Sequence, residues 1–284
     1  MRKIIINADD FGIHQAVNRG IIYGHTCGHI SSTTIMAVGR AFSEAAALAY
    51  DNPKLGVGIH LTLVGEQPVA EPHAIPSLVD GEGNLPALYP QFLKQLIQGR
   101  ISLYDVRTEL EAQIKKVLSA GIQPTHLDSH QHMHVVPGVI DIVLDLASQY
   151  SIKAVRIPDE PILFFGGYRS SPGRFIGRGG LSVLASFARR KARRQKLAAP
   201  DHFYGMLAGG FMTENRLLAI IDRLPPGISE IMMHPGDSDG EMTHSYGWQY
   251  SWQAELAAVT GEKLGHRLSE QGIEAISFRE LAHE

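Results

Sequence analysis

The sequence predicts an α/β fold, a single (β/α) barrel of the TIM type with inserted loops. Three observations lead there. Short β-rich runs alternate with helical patterns along nearly the whole chain, the signature of a parallel sheet. About eight such runs follow one continuous rhythm, which favours a barrel over an open sheet. The most reactive polar side chains fall just after the strands, and parallel barrels carry their sites at that end. No repeat, low-complexity tract or linker divides the sequence, so residues 1–284 are expected to form one domain.

The elements can be justified in order. The first strand is expected over 3–7 and the first helix over 14–26. A strand over 31–38, a helix over 42–50 and a strand over 55–61 follow. Ser102 opens a helix through a capping box with Asp105. Leu103, Val106, Leu110, Ile114, Val117 and Leu118 recur at spacings that place them along one face, and Gly121 supplies the stop. Next come a strand over 122–127, a helix over 139–150, and strands over 152–157 and 202–207. A helix over 214–224 is stopped by Pro225-Pro226-Gly227. The strand over 228–233, a helix over 253–271 and a strand over 274–278 complete the series. Two stretches break the rhythm: an insertion near 64–100, rich in Pro, Gly and acidic residues, and one near 161–200, Gly-rich and then basic. Insertions of this length are often lids or binding loops.

Composition excludes several classes. With 44% hydrophobic and 19% charged residues, the chain has mass for a large core and too little charge for disorder. A net charge of -3 gives no electrostatic case for nucleic acid. The single cysteine, Cys27, rules out an internal disulfide framework and a Cys-rich zinc module, and on its expected helix it has no obvious activating partner for a catalytic thiol. No apolar run approaches the roughly 18 residues of a membrane span. Ile4-Ile5-Ile6 is too short for a signal peptide, so a cytoplasmic protein is expected. Gly166-Gly167 and the glycines over 177–180 do not follow a strand as a phosphate loop would, which argues against nucleotide binding.

The 14 histidines are the unusual feature. Strand ends collect Asn7, Asp9 and Asp10, then His60, then Asp128, His130, His132 and His134, then Arg156, then His234. Asp9-Asp10 alone reads first as a helix cap, and with the histidines present a metal ligand beside a proton acceptor becomes the better reading. Alternating histidines beside Asp128, directly after an apolar strand, suit a divalent metal better than a surface loop. His60 alone reads equally as a core histidine. Arg156 closes an apolar strand and requires a carboxylate partner, catalytic or structural. His234 reads as a ligand, a general acid or a buried structural histidine. His25, His29, His73, His244, His266 and His283 fall on helices, loops or the tail and are taken as surface residues.

Taken in order, Asn7-Ala8-Asp9-Asp10-Phe11-Gly12, Ser32-Thr33-Thr34, Gly58-Ile59-His60 and the run from Thr125 to His134 resemble the YdjC-like carbohydrate deacetylases over most of the chain. Ile75 to Asp80, Arg156 to Pro161, Asp201 to Gly205 and Arg223 to Gly227 are similar to the hopanoid-biosynthesis-associated HpnK branch of that family. The resemblance implies that the barrel is irregular. It also implies one divalent metal ion on Asp10, His60 and His130, with Asp9 as base and His234 as acid. It implies magnesium, and two imidazole ligands would also suit zinc. Arg156 would hold Asp9 charged and oriented, while Asp128, His132, His134 and Trp248 would meet the substrate. The implied reaction is hydrolysis of the acetamide of an N-acetylated amino sugar, on an N-acetylglucosaminyl hopanoid glycolipid. A chitooligosaccharide, or a non-catalytic glycan-binding module, is the alternative. A phosphoesterase or C–C lyase would use the same side chains.

Arg189, Arg190, Lys191, Arg193, Arg194 and Lys196 crowd one helical stretch, with Leu181, Val183, Leu184 and Phe187 before or at its start. The stretch 181–197 is expected to touch the inner face of a membrane peripherally, a solvated helix face being the alternative. Tyr246, Trp248, Tyr250 and Trp252 alternate in an expected loop, for sugar stacking or ordinary packing. A homodimer is left open.

Overall fold

The computed structural model describes residues 1–161 and 172–281. Eight parallel strands form one sheet: β1 (Arg2–Phe11), β2 (Ser32–Ile35), β3 (Gly56–Leu61), β4 (His126–Ser129), β5 (Ala154–Val155), β6 (His202–Tyr204), β7 (Gly227–Met233) and β8 (Ile273–Ala275). The spatial order is β5-β4-β3-β2-β1-β7-β6, with β8 also on β1. Strand β1 organises the sheet because β7 runs along one edge from Arg2 to Ala8. The other edge is shared: β8 pairs with Arg2 to Ile4, and β2 pairs further along, at Asn7, Ala8 and Phe11. Among the described residues β5 and β6 share no ladder. Instead Ala198 exchanges backbone hydrogen bonds with the β5 edge, so the barrel is irregular, as expected, and is incompletely closed.

Every expected strand exists, but several bounds move. The expected strand over 122–127 becomes β4, later by a few residues. That over 152–157 shrinks to β5, and Phe278 belongs to a closing helix, α11 (Phe278–Leu281), rather than to β8. The helices are α1 (Gln15–Thr26), α2 (Phe42–Asp51), α3 (Tyr89–Ile97), α4 (Leu103–Ser119), α5 (Val139–Gln149), α6 (Pro172–Arg194), α7 (Glu214–Ile221), α8 (Asp239–Tyr246), α9 (Trp252–Thr260) and α10 (Glu262–Glu270). The single helix expected over 253–271 is two, broken at Gly261, whose extended backbone ends one and starts the other. The aromatic alternation is not wholly a loop: Tyr246 closes α8 and Trp252 opens α9. The first insertion is partly helical, through α3. Part of the second forms α6, and residues 162–171 of it lie outside the described residues. No helix among the described residues is long and apolar enough to cross a membrane.

The capping box at α4 is also only half right. Ser102 Oγ accepts from Tyr104 N at 3.2 Å, but Asp105 turns away. Its carboxylate accepts from Ser77 N and Ser77 Oγ, both at 2.8 Å, and so ties the first insertion to α4. One turn on, buried Glu109 accepts from Val69 N and Ala70 N at 2.9 and 2.8 Å. The apolar face of α4 meets the core as predicted through Val106, Leu110, Ile114 and Val117, and Gly121 follows with a left-handed φ of 81°. Leu103 departs from it, 43% exposed.

Helix α1 packs closely on the segment after β7. A Cβ on Gly20 would lie 2.5 Å from the Gly236 backbone, closer than van der Waals contact allows. Gly236 sits two residues beyond His234, and Asp237 N donates to Ala16 O at 3.0 Å. Gly20→Ala is therefore expected to lower stability by about 1–3 kcal/mol, read by denaturant unfolding. Gly240→Ala, where an added Cβ meets nothing within 4 Å, should leave the midpoint unchanged or raise it.

Candidate metal centre and catalytic cavity

A cavity of about 420 Å³ opens at the C-terminal end of the strands, lined in part by Asp9, Asp10, His60, His130, His132 and His234. Both aspartates reach it because β1 is bulged there. From Ala8 to Phe11, β1 advances three residues while its partner β2 advances two, Thr33 to Ile35. Asp10 absorbs the extra residue with a left-handed φ of 68°. In a regular strand adjacent side chains point to opposite faces; the bulge turns both carboxylates toward one space. Neither caps a helix: the α1 cap is His14.

Asp10 Oδ1 stands 3.3 Å from His60 Nε2 and 3.2 Å from His130 Nδ1. Their ligand atoms all lie within 4.8 Å of one another, so the trio could hold a metal ion. His60 is in register with Asp128 across β3 and β4, and its Nδ1 is 2.8 Å from Asp128 Oδ1. Thr34 Oγ1 is 3.1 Å from that same Nδ1 and donates to Asp128 Oδ2 at 3.1 Å. The rear of the imidazole is thus fixed and Nε2 faces Asp10, the arrangement expected of a metal-binding histidine.

Electrostatics favour a cation there. Burial works against charge on Asp10, yet His130 and His60 hold its carboxyl well below the usual range. Burial likewise opposes a proton on His60, but Asp128, Asp10 and Asp9 push that ring up to about 10. A field that retains a proton at His60 also attracts a metal cation in its place. One carboxylate and two imidazoles are a donor set suited to a divalent ion. A second trio, Asp9, His60 and Asp128, is equally compact. Its two carboxylates are already bound to Arg156, which leaves the Asp10 trio as the better seat.

Arg156 is fully buried and holds three carboxylates. Nη1 and Nη2 reach the two oxygens of Asp9, each at 2.6 Å. Nη1 is also 2.6 Å from Asp128 Oδ2, and Nε donates to Glu230 Oε1 at 2.7 Å. Asn7 Nδ2 donates to Asp9 Oδ1 at 2.9 Å. Burial, with Asp9 and Asp128 nearby, pushes Glu230 up to about 7 despite the guanidinium.

Backbone strain shapes the next wall. Gln131 and His132 both have left-handed φ, 54° and 57°, directly after His130. Consecutive strained residues of this kind mark sites where the chain must be re-aimed. They put His132 on the cavity, where burial and the charge of Arg156 keep its ring neutral. Asp128 and His134, expected to meet the substrate, do not line the cavity. Asp128 is wholly buried between His60 and Arg156, because its role in their network draws it behind the wall. His134 is spent on Ser129 Oγ at 2.6 Å and Arg156 O at 3.0 Å.

The far wall carries His234. Its backbone N donates to Glu255 Oε2 at 2.5 Å, and Glu255 also accepts from Met212 N at 2.9 Å. The His234 ring packs edge-on against Tyr250, 5.3 Å away, and its Nδ1 has no hydrogen-bond partner among the described residues. Trp248 lines the cavity and stacks on His130 at 5.6 Å. Tyr246, Trp248, Tyr250 and Trp252 form a continuous aromatic strip with centroids 5.0–5.8 Å apart. Glu230 and Glu255 were missed from sequence, and Thr34 entered only within the Ser32-Thr33-Thr34 motif, with no role assigned. Glu230 carried a usable signal: a carboxylate within the apolar strand 228–233 demands a buried cation, as Arg156 demands an anion.

Comparisons with known proteins find relatives along almost the whole chain. A carbohydrate deacetylase of Geobacillus stearothermophilus is 33% identical, covering 99% of this chain and 98% of that protein. One of Clostridium beijerinckii is 32% identical, covering 98% and 100%. A solved structure from Enterococcus faecalis V583, provisionally described as a cellobiose-phosphate cleavage protein, is 26% identical with a TM-score of 0.79, covering 99% of this chain and 98% of that one. The model of the YdjC-like proteins matches residues 3–270, and the chain belongs to that family.

Proposed function

We propose that the protein is a metal-dependent N-deacetylase, a hydrolase that cleaves the acetamide of an N-acetylated amino sugar into acetate and a free amine. One observation carries this: a carboxylate–imidazole trio and a second, Arg156-clamped carboxylate share one cavity. The names of the Geobacillus and Clostridium relatives support the same substrate class. A divalent ion on Asp10, His60 and His130 would supply Lewis acidity and lower the pKa of water. Magnesium follows from the family resemblance, and the two imidazoles suit zinc as well.

Asp9 takes the proton from water as its oxygen bonds to the acetamide carbon. Arg156 grips both Asp9 oxygens and fixes the direction of the remaining lone pairs. His234, on the same cavity, gives a proton to the departing nitrogen as the C–N bond breaks. His132 and Trp248 border the sugar, Trp248 as an apolar stacking face. A non-catalytic glycan-binding role would have no use for the clamp on Asp9.

The finer reading is an N-acetylglucosaminyl hopanoid substrate, handled by a one-domain protein at the inner face of the membrane. It rests on the branch motifs and on α6. Two of the six basic residues expected to face a bilayer turn elsewhere: Arg189 Nη1 donates to Pro200 O at 2.8 Å, and Lys191 pairs with Asp141. Leu184 packs against the core, so the exposed apolar residues are Val183 and Phe187, with Arg190 over the Phe187 ring at 4.4 Å. Arg193, Arg194 and Lys196 are exposed beside them.

Two predictions follow from this mechanism and one from the helix. Asp10→Asn should reduce bound metal, measured by elemental analysis of the purified protein, together with acetate release. Asp9→Asn should retain metal yet lose roughly 10²–10⁴-fold in turnover of an N-acetyl sugar. Wild-type turnover by Asp9→Asn would remove Asp9 as the base. For the helix, the wild type should sediment with anionic vesicles at low salt and release at high salt. Each exposed Arg near an anionic surface contributes about 1 kcal/mol, so the Arg190→Gln, Arg193→Gln, Arg194→Gln triple variant should stay in the supernatant. Equal sedimentation of both proteins would remove α6 as an anchor.

A further inference from the structure

His234 lacks the support that proton-transferring histidines usually have. Such an imidazole is ordinarily aimed by a third group bonded to its second ring nitrogen. Here Nδ1 is buried with no hydrogen-bond partner among the described residues, and the ring meets Tyr250 only edge-on. The ring therefore takes its direction from the backbone that carries it.

That backbone is held from α9. Glu255, in the first turn of α9, is fully buried. Its Oε2 accepts from His234 N at 2.5 Å, and its Oε1 from Met212 N at 2.9 Å. Strand β7 ends at Met233, so the grip falls on the first residue beyond the ladder. Further bonds brace the start of α9: Gly236 N donates to Trp252 O at 3.2 Å, and Ser251 N to Gly210 O at 2.8 Å. The 205–212 segment brings Met206 and Gly209 to the same cavity as His234. Its other end is fixed by a second buried carboxylate, Glu160, which accepts from Gly205 N at 3.0 Å and Leu207 N at 3.2 Å.

The residue type at 255 is informative. Burial raises the pKa of Glu255, against the opposing pull of His234 and the two backbone donors. A buried carboxylate is costly, and a glutamine would be cheaper to bury. Two N–H groups on separate segments, however, each take a different oxygen. A carboxylate offers both acceptors, whereas a carboxamide would set an N–H against one of them.

We propose that Glu255 is the positioning residue for His234: its two oxygens pin the backbone of the proton donor to the 205–212 segment, and so aim a ring that no hydrogen bond to its Nδ1 aims. The role rests on the deacetylase reading, in which His234 protonates the departing nitrogen, and adds how that group is held. Displacement of a reacting group by about 1 Å can cost roughly 10²-fold in rate.

The test is a double-mutant cycle on acetate release from the methyl glycoside of N-acetylglucosamine. Glu255→Gln should lower kcat about 10–100-fold while KM changes less than about twofold. His234→Ala keeps the backbone N–H but removes the ring, so in that background Glu255→Gln should cost little or nothing more. A smaller loss there than in the wild-type background sustains the role. An equal loss in both backgrounds, as a merely structural tie would give, overturns it, and so does wild-type kcat in Glu255→Gln. If Glu255→Gln does not fold, the cycle is run with Glu255→Asp, which keeps both acceptors on a shorter arm, and is judged in the same way. Should the wild type release no acetate, the deacetylase reading fails, and deuterium exchange of the His234 amide, followed by NMR, judges the contact alone. Exchange at least about tenfold faster in the variant, with the α5 amides unchanged, would sustain it. An equal rate would overturn it.

Discussion

The buried guanidinium of Arg156 is the interaction on which the rest of the site depends. It sits where β1, β4 and β7 bring Asp9, Asp128 and Glu230 together, and it is the cation that lets three carboxylates share a dry interior. A buried charge set of this kind tolerates no missing member, since the survivors would stand uncompensated in a low dielectric. Through Asp128 the same guanidinium reaches the rear of His60, and through Asp9 the cavity wall. One side chain therefore couples barrel assembly to the aim of two groups on the cavity.

Carboxylates still outnumber cations around that centre. The imbalance appears as a raised Glu230 and a His60 ring that resists losing its proton. Such a site favours an added positive charge, and the Asp10 trio could hold one. The histidines further along the 130–134 turn do different work. His132 stays neutral on the cavity wall, and burial takes His134 down to about 4 while its nitrogens brace Ser129 and the Arg156 carbonyl.

Much of this was legible in the sequence because strand ends impose order. Strand rhythm located all eight strands, and the rule that barrel sites gather at C-terminal strand ends selected Asp9, Asp10, His60, His130, Arg156 and His234, all of which the fold brings together. What escaped was set by long-range pairing. Asp105 looked like a cap until Ser77, distant in sequence, took its oxygens. Asp128 and His134 shared a polar run with His130, and one-dimensional order cannot separate a wall-facing side chain from one turned into a network. Gly261 has the composition of a helix interruption, but apolar spacing continued across it and hid the break.

The bulge in β1 has a further consequence. A single extra residue decides that Asp9 and Asp10 look into one space, so the carboxylates proposed to handle the proton and to hold the cation are bound by a backbone count rather than by separate loops. Substitution can alter either side chain while leaving the other in place, but deletion cannot. Shortening this strand by one position would restore the ordinary pleat and send one of the two to the opposite face. The reach of variation at this point in the chain is thus narrower than at the insertion loops, where length can drift without disturbing the pair.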